Sequence, residues 1–387
     1  MAIKVMLVFG TRPEAIKMAP LVKELQKREE IDVKVCVTAQ HREMLDQVLE
    51  IFDIKPDFDL NIMTQRQTLA GITTKALDGL YEVISTEKPD IVLVHGDTTT
   101  TFVASLAAFY NQVKVGHVEA GLRTYDKYSP FPEEMNRKLT TAIADLYFAP
   151  TLNNKNNLLK EAIEEDKIYI TGNTAVDAMG YTVNKEYKFE NEELAKIDFE
   201  NRRMILVTAH RRENLGEPLE NICKAIKHLV ENNPDIGIVY PVHLNPAVQN
   251  TVRGILGGME NVHLIDPLDA MTFQNVMDRS YMVMSDSGGV QEEAPSVGKP
   301  VLVLRTETER PEAIETGTLK LAGTDTQNII NLAQELLDDK AEYERMSHAK
   351  NPYGDGKASE RIADAILYAF KLKQDKPNEF KIWIWKN

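Results

Sequence analysis

Short apolar runs alternate with amphipathic segments of helical length along this sequence, and this alternation constrains the fold more than any other feature. Continuous runs such as Ile91-Val92-Leu93-Val94 are typical of strands covered on both faces. Strands that alternate with helices predict a parallel, doubly wound α/β sheet. The strands predicted in the first half are Val5–Phe9, Val33–Thr38, Ile91–His95, Lys114–Val118 and Leu146–Ala149, with helices over Ile16–Lys27 and Thr100–Tyr110.

The alternation restarts near Gly172, and the 387 residues exceed the usual range of a single core. The second set of predicted strands is Ile168–Thr171, Met204–Thr208, Gly237–Tyr240, Val262–Ile265, Tyr281–Met284 and Pro300–Leu304. We therefore predict an α/β protein with two Rossmann-like domains that face each other across a cleft. They comprise residues 1–170, joined by a C-terminal helix over 358–373, and residues 171–357, with a tail over 374–387.

Composition excludes several classes of protein. The formal net charge of −14 argues against a nucleic-acid partner. Cys36 and Cys223 are too few for a disulfide scaffold, fit a reducing cytosol and are interpreted as core residues. The first apolar run is short and is interpreted as a strand rather than a signal peptide, and no stretch reaches the length of a membrane span. Trp383 and Trp385 in the tail are interpreted as part of an arm packed on the protein or on a partner.

The segment Ser285–Glu293 follows a predicted strand and is suited to bind phosphate. Gly288 and Gly289 let backbone N–H groups approach a ligand, and the following helix presents its positive end. Glu293, one turn into that helix, could accept hydrogen bonds from ribose hydroxyls. The alternative is a plain turn in which Ser287 caps the helix.

A second phosphate-binding signal lies in Gly10–Lys17, which also follows a strand and opens a helix. Its single glycine matches neither a P-loop nor the dinucleotide fingerprint. Arg12 at the strand end and Arg310 offer guanidinium groups for multidentate phosphate contact. Lys17 faces either the cleft or solvent.

Acidic residues stand at strand ends or in unusual loops. Asp97 and Glu119 follow predicted strands, whereas Glu133 and Glu134 are interpreted as part of the stiff, proline-rich loop that begins with Ser129–Pro132. Strand ends of an open α/β sheet are where ligands bind, so these acids are candidates for chemistry. The alternative for Asp97 is a helix cap, whereas glutamate is a poor capping residue.

His210 follows a predicted strand and is flanked by Arg211 and Arg212. It is a candidate for donating to phosphate or for moving a proton, although a lone histidine is more often structural. No Cys/His cluster predicts a zinc site, and no Gly-x-Ser-x-Gly elbow predicts a serine hydrolase.

Long motifs in one order resemble the non-hydrolysing UDP-N-acetylglucosamine 2-epimerases, from residue 1 to about residue 370. They are Phe9–Pro20, Thr38–Arg42, His95–Thr98, Gly116–Arg123, Thr208–Asn214, Pro241–Pro246, Asp286–Pro295 and Asn351–Gly356. The resemblance implies a glycosyltransferase-B-like fold and a cytoplasmic homodimer that supplies N-acetylmannosamine for surface polysaccharides. It implies no NAD, metal or other cofactor, no nucleic acid and no membrane.

By the same resemblance, UDP is held by Arg12, Ser287, Gly288, Gly289, Glu293 and Arg310, with Phe273 near the uracil. Lys17 is a further candidate for substrate binding. The chemistry is carried by Asp97, Glu119, Glu133 and His210. The implied reaction eliminates UDP to leave 2-acetamidoglucal and then adds UDP back, which exchanges UDP-GlcNAc with UDP-ManNAc. The alternatives are a glycosyltransferase of the same fold, a hydrolysing epimerase and a non-catalytic nucleotide-sugar sensor.

A surplus of polar residues at strand ends and in loops predicts a second site, at which UDP-GlcNAc acts as an allosteric activator. Regulated members of the resembled family bind such an activator there. The residues are Gln40, His41, Glu43, Arg66, Gln67, Arg211 and His243.

Overall fold

The computed structural model describes residues 2–40, 42–64, 68–308 and 310–381, apart from the side chains of Glu43 and Met44. The chain divides into two compact units. The first contains the chain up to Tyr181 and again from Tyr353, and the second contains Thr182–Pro352.

The first unit contains a parallel sheet with seven strands among its described residues. They are β1 (Ile3–Phe9), β2 (Ile31–Val37), β3 (Phe58–Asp59), β4 (Ile91–His95), β5 (Lys114–Val118), β6 (Leu146–Ala149) and β7 (Ile168–Ile170). Their order is β3-β2-β1-β4-β5-β6-β7, so the chain changes direction across the sheet between β1 and β4. Such a reversal opens a crevice at the carboxyl ends of the two strands.

Helices pack on both faces of this sheet, which explains why strands such as β4 are buried along their whole length. They are α1 (Arg12–Leu25), α2 (Arg42–Ile51), α3 (Leu69–Glu87), α4 (Thr99–Tyr110), α5 (Glu133–Ile143), α6 (Leu152–Lys160) and α7 (Thr174–Thr182). A 3₁₀ turn spans Glu165–Lys167. Helix α1 begins with a capping box between Thr11 and Glu14.

The second unit repeats this architecture with six parallel strands among its described residues. They are β8 (Arg203–Thr208), β9 (Ile236–Pro241), β10 (Val262–Ile265), β11 (Met282–Ser285), β12 (Val301–Val303) and β13 (Leu319–Leu321). The order is β10-β9-β8-β11-β12-β13, and the reversal falls between β8 and β11.

The helices of the second unit surround a second apolar core. They are α8 (Glu192–Ala195), α9 (Glu217–Asn232), α10 (Pro246–Leu256), α11 (Ala270–Arg279), α12 (Gly288–Glu293), α13 (Pro311–Glu315), α14 (Thr326–Asp338) and α15 (Lys340–Ser347). Two 3₁₀ turns span Arg212–Asn214 and Ala294–Val297.

The chain then returns to the first unit and forms α16 (Ala358–Ala369). The Asp177 carboxylate accepts hydrogen bonds from the backbone N–H groups of Ala358 (3.1 Å) and Ser359 (2.7 Å), which satisfies the first turn of α16. Helix α16 ends at Ala369, four residues before the predicted end at residue 373.

The predicted class, two Rossmann-like α/β units, is confirmed. Strands β3 and β13 were missed because Phe58–Asp59 and Leu319–Leu321 contain no continuous apolar run. Glu133 and Glu134 open helix α5 and do not belong to the preceding loop. Both cysteines are buried and free, as predicted. Among the described residues, no helix is long and apolar enough to cross a membrane, and the tail residues 382–387 lie outside the description.

Candidate functional site

The reversal point of the first sheet brings together the loops that follow β1 and β4. Gly10 ends β1 at a place where no side chain fits, because an added Cβ would lie 1.9 Å from Thr38 Oγ1 and 2.8 Å from Thr100 Oγ1. The close approach lets Arg12 begin helix α1 directly at the crevice. Arg12 is half-buried, and no described residue forms an ion pair with it.

Glu14 fastens the two loops of this crevice to each other. One carboxylate oxygen accepts from Gly10 N (3.0 Å), Thr11 N (2.9 Å) and Thr11 Oγ1 (2.9 Å), and the other accepts from Thr98 Oγ1 (2.6 Å). Burial raises the pKa of Glu14, although these four donors favour its ionised form. Glu14 was not predicted as a site residue, but its place three residues after a threonine is the capping-box signal that could have found it.

Asp97 projects from the loop after β4 and is held by two residues of α5. Arg137 Nη2 donates to Asp97 Oδ2 (2.5 Å), and Asn136 Nδ2 donates to the Asp97 carbonyl (2.9 Å). The residue that caps α4 is Thr98, whose hydroxyl accepts from Thr101 N. The cap interpretation of Asp97 is therefore wrong, and its carboxylate forms an ion pair instead.

The two adjacent glutamates at the start of α5 have different environments. Glu134 is fully buried and accepts from Thr124 N (3.1 Å), Tyr125 N (3.0 Å) and Arg137 Nη1 (3.1 Å), so it anchors the preceding loop. Glu133 is half-buried. It lies on the face of α5 that carries Asn136 and Arg137, three and four residues later, and that face meets Asp97.

Glu119 follows β5 with a left-handed backbone (φ +63°), which is rare outside glycine and is concentrated at functional sites. Its Oε2 accepts from Lys17 Nζ in a close ion pair and from Asn173 Nδ2 at 2.9 Å. Burial alone would raise the pKa of Glu119. Lys17, His95 and the two hydrogen bonds together outweigh burial and lower this pKa well below its usual range, so the carboxylate is ionised.

Two buried histidines lie beside these acids. His95 Nε2 is 3.7 Å from Glu119 Oε2, and burial lowers the pKa of His95 to about 4. His117 Nε2 donates to the Gly96 carbonyl (2.8 Å), and burial lowers the pKa of His117 to about 3. Both rings are neutral at pH 7, and His117 fixes the backbone just before Asp97.

The reversal point of the second sheet is organised by Asp286, which follows β11 and is fully buried. Its Oδ2 accepts from His210 N (2.8 Å), Arg211 N (2.8 Å) and Asn214 Nδ2 (3.0 Å), so it fixes the loop after β8. The His210 ring is 42% exposed and lies with Nδ1 3.4 Å from Asp286 Oδ1. Burial lowers the pKa of His210, with His243 and Arg211 acting in the same direction against Asp286, so the ring is neutral at pH 7.

The glycine pair after β11 lies against an arginine. A Cβ at Gly288 would lie 2.6 Å from Arg310 Nη1, so only glycine lets the guanidinium cover this backbone. Arg310 is oriented by Glu292, which accepts from its Nε (2.8 Å). Ser287 occupies the cap position of the short helix α12, yet its side chain makes no capping hydrogen bond, so the plain-cap interpretation is not realised.

Phe273 and Glu293 are brought to the same region by neighbouring elements. Gln274, the residue after half-buried Phe273 on α11, donates to Glu293 Oε2 at 3.4 Å. Glu293 Oε1 lies 3.8 Å from the position of a Cβ at Gly289. The predicted uracil and ribose contacts therefore lie beside the predicted phosphate loop.

Only part of the predicted allosteric set can be placed. His41, Arg66 and Gln67 lie outside the described residues, as does the side chain of Glu43. Gln40 follows β2 in the first unit. In the second unit, the His243 ring stacks on His210, with centroids 5.5 Å apart, and Arg211 Nη1 lies 3.8 Å from Glu213.

The residues that sequence reasoning missed orient other residues and carry no obvious chemical signature. Asp286 begins one of the family motifs and Asn173 follows the predicted strand Ile168–Thr171, and strand-end placement was the signal that could have found them. His95 begins the family motif His95–Thr98, which was the signal that could have found it, whereas Arg137 could not have been distinguished from an ordinary helix residue. Among the described residues, no group of three or more His, Cys, Asp or Glu side chains could hold a metal ion.

Comparison with known proteins matches this chain over nearly its whole length. A family model described as UDP-N-acetylglucosamine 2-epimerase matches residues 23–367. The Bacillus subtilis UDP-N-acetylglucosamine 2-epimerase is 61% identical over 378 residues, covering 98% of each chain.

Two solved structures are similar throughout. The S. aureus MnaA–UDP co-structure is 54% identical with a TM-score of 0.89, covering 98% of this chain and 100% of that one. UDP-GlcNAc 2-epimerase from Neisseria meningitidis, bound to UDP-GlcNAc, is 53% identical with a TM-score of 0.86, covering 94% and 100%. These neighbours confirm the predicted glycosyltransferase-B-like fold. The chain belongs to the UDP-N-acetylglucosamine 2-epimerase family.

Proposed function

We propose that this chain interconverts UDP-GlcNAc and UDP-ManNAc as a non-hydrolysing 2-epimerase. The C1–O bond to UDP breaks and the C2 proton passes to a carboxylate, which leaves UDP and 2-acetamidoglucal. A proton then returns to the other face of C2, and UDP adds back to C1. The step is redox-neutral and uses acids and bases of the chain itself.

The observation that carries this proposal is the pair of carboxylates after neighbouring strands β4 and β5. Asp97 is held by Arg137, and Glu119 by Lys17 and Asn173. Proton transfer at C2 on opposite faces needs more than one fixed carboxyl group. Positive charge that develops at C1 as UDP departs acidifies the C2 proton, and nearby carboxylates stabilise that charge. We assign proton transfer to Asp97, Glu119 and Glu133.

We assign UDP binding mainly to the second unit. Gly288 and Gly289 begin helix α12 without side chains, Arg310 supplies a fixed guanidinium against this backbone, and Glu293 and Phe273 supply the contacts for ribose and uracil. His210 lies in the loop adjoining the Asp286 anchor, and we assign it to the departure and return of UDP. Arg12 and Lys17 are the contribution of the first unit; Lys17 also fixes Glu119. The UDP and UDP-GlcNAc held by the two similar structures support UDP and its sugar conjugate as the class of ligand.

We further propose that UDP-GlcNAc activates the enzyme at a second site that includes Gln40, Arg211 and His243. The stacking of His243 on His210 supports this idea, because a ligand at His243 would bear directly on a proposed catalytic ring. A lag in the reverse reaction from pure UDP-ManNAc, abolished by a trace of UDP-GlcNAc, is the expected result. Immediate hyperbolic kinetics would exclude this activation.

From family resemblance alone, we also propose a cytoplasmic homodimer that supplies N-acetylmannosamine for surface polysaccharides.

The test is the NMR spectrum of UDP-GlcNAc incubated with pure, chelator-dialysed protein in D2O without NAD. We expect UDP-ManNAc to form and deuterium to enter C2 of both sugar nucleotides. Release of free N-acetylmannosamine would indicate the hydrolysing reaction, and tight binding without turnover would indicate a sensor. Turnover without exchange at C2 would exclude the elimination route.

A further inference from the structure

Asn173 lies just beyond the end of β7 and is 2% exposed. Its Nδ2 donates to Glu119 Oε2 at 2.9 Å, although the two residues are 54 positions apart in the chain. Nothing in the sequence motifs gave Asn173 a role. A buried amide that contacts a proposed catalytic carboxylate is a candidate for controlling it.

The orientation of the Asn173 amide is determined by its other contacts. Its Oδ1 accepts from Ala175 N (3.0 Å) at the start of α7, so the NH₂ group is the end that faces Glu119. The Asn173 backbone N–H donates to the Tyr353 carbonyl (2.6 Å). The preceding Gly172 has φ +85° and packs against Gly354, where an added Cβ would lie 3.3 Å from the Gly354 Cα. Side chain and backbone are therefore both fixed.

Both donors to Glu119 use the same oxygen. Lys17 and Asn173 donate to Oε2, whereas Oε1 lies on the side of Gly96, the residue before Asp97. No described residue donates a hydrogen bond to Oε1. The arrangement leaves Oε1 as the oxygen that can exchange a proton with a ligand.

We propose that Asn173 is a positioning residue that, with Lys17, occupies Oε2 of Glu119 and directs proton transfer to Oε1. This inference rests on the proposed epimerase function. A donor amide at this place stabilises the ionised carboxylate, whereas an acceptor there would oppose it. The charged and titratable groups that face Glu119 are Lys17 from α1, His95 from β4 and His117 from β5. The two histidines are neutral at pH 7.

Asn173→Asp tests this directly, because the substitution is nearly isosteric. Aspartate keeps an acceptor for Ala175 N but places an oxygen against Glu119 Oε2. Two facing carboxylates retain a proton more readily, so the acid limb of kcat/KM should move to higher pH by about one unit or more. Turnover at pH 7 should fall about tenfold or more and recover as the pH rises.

Asn173→Ala removes the donor without adding charge. It should therefore lower kcat about three- to tenfold, leave KM nearly unchanged and shift the pH profile of kcat/KM less than Asn173→Asp does.

The matched control is Asn233→Asp in the second unit. Asn233 is also buried, and its Nδ2 also faces oxygens, those of Leu229 (2.9 Å) and Gln334 (3.0 Å). The Asn233→Asp substitution should lower the thermal stability of the protein and leave the pH profile of kcat/KM unchanged.

Wild-type conversion of UDP-GlcNAc is measured first, so failure of the proposed function is seen separately. Absence of conversion overturns both proposals. Conversion by the wild type together with equal losses at every pH in Asn173→Asp and Asn173→Ala would sink the positioning role alone. If Asn173→Asp does not fold, the kinetics of Asn173→Ala provide the test of the positioning role. A raised KM with unchanged kcat in that variant would also contradict the role.

Discussion

The two reversal points of the molecule are organised in the same way but differ in what they present. Each contains a buried carboxylate whose hydrogen bonds tie the two adjoining loops together, Glu14 in the first unit and Asp286 in the second. In the first unit, the surrounding acids Asp97 and Glu119 are fixed by cations. In the second, the surroundings are glycine backbone, an oriented arginine and a part-exposed histidine.

This difference separates chemistry from binding. Carboxylates fixed by cations suit proton transfer, because they are oriented before the substrate arrives. Backbone N–H groups at the start of a helix and a guanidinium suit a diphosphate. We therefore expect substitutions in the first unit to act mainly on kcat, and those at the glycine pair to act mainly on KM.

The largest effects are expected from the three acids of the first unit. Asp97→Asn, Glu119→Gln and Glu133→Gln should each lower kcat by about 10²–10⁴-fold, the usual contribution of a general acid or base. Steady-state kinetics and C2 exchange in D2O provide the measurement. Glu50→Gln, an exposed acid on α2, is the control and should behave as wild type. Near-normal rates in all three acid variants would show that other residues carry out the proton transfers.

The next largest effect is expected from Lys17, the cation that forms an ion pair with Glu119. Lys17→Met removes the main influence that opposes burial, so the pKa of Glu119 should rise. In the wild type this pKa is depressed, so the ionised form and its stabilisation persist at mildly acidic pH and are lost only at much lower pH. The variant should lose about 10- to 100-fold in kcat at pH 6 and recover partly at higher pH.

Lys23→Met on the same helix is the control for this variant. The Lys23 Nζ donates to the Asp53 carbonyl, away from Glu119. An unshifted pH–rate profile in Lys17→Met would mean that the ion pair does not set the protonation state of Glu119.

A smaller effect is expected at the phosphate loop of the second unit. Gly288→Ala would push Arg310 aside, since its Cβ would lie 2.6 Å from Nη1. We expect KM for UDP-GlcNAc and Kd for UDP to rise about tenfold, equivalent to ~1.4 kcal/mol, with kcat nearly unchanged. Isothermal titration with UDP measures the affinity. A fall in kcat at constant UDP affinity would contradict the division between the two units.

Sequence patterns predicted the regular parts of the fold because a strand covered on both faces has a distinctive composition. β4, β5, β6 and β10 begin and end where the apolar runs indicate. Strands β3 and β13 lack such runs, since Asp59 and Lys320 interrupt their few apolar residues. The start of helix α5 was not predicted, because Pro132 and the two glutamates that follow it are as typical of a loop as of the first turn of a helix.

The candidate site shows a similar limit. Several residues proposed to touch the ligand, such as Asp97, Glu119 and His210, follow strands, and this position in the sequence identifies them as candidates. Asn173, Arg137 and Asp286 act through other residues, and the partner of Asn173 is 54 positions away in sequence. Only the three-dimensional structure reveals such pairings, because the chemistry of an amide or a guanidinium is the same wherever it lies.

The smallest expected effect tests whether stability and chemistry can be changed separately. Gly254 lies within α10 of the second unit, is exposed, and an added Cβ would meet no atom within 4 Å. Gly254→Ala should therefore increase the free energy of unfolding by about 0.5–1 kcal/mol, because alanine has less conformational freedom to lose in a helix. Urea denaturation measures the change, and kcat, KM and the pH profile should equal those of the wild type. Gly258→Ala is the matched control, because it has the same free space but φ +80°, so it should destabilise the protein. Stabilisation by both variants, or by neither, would show that backbone conformation does not decide the outcome at these positions.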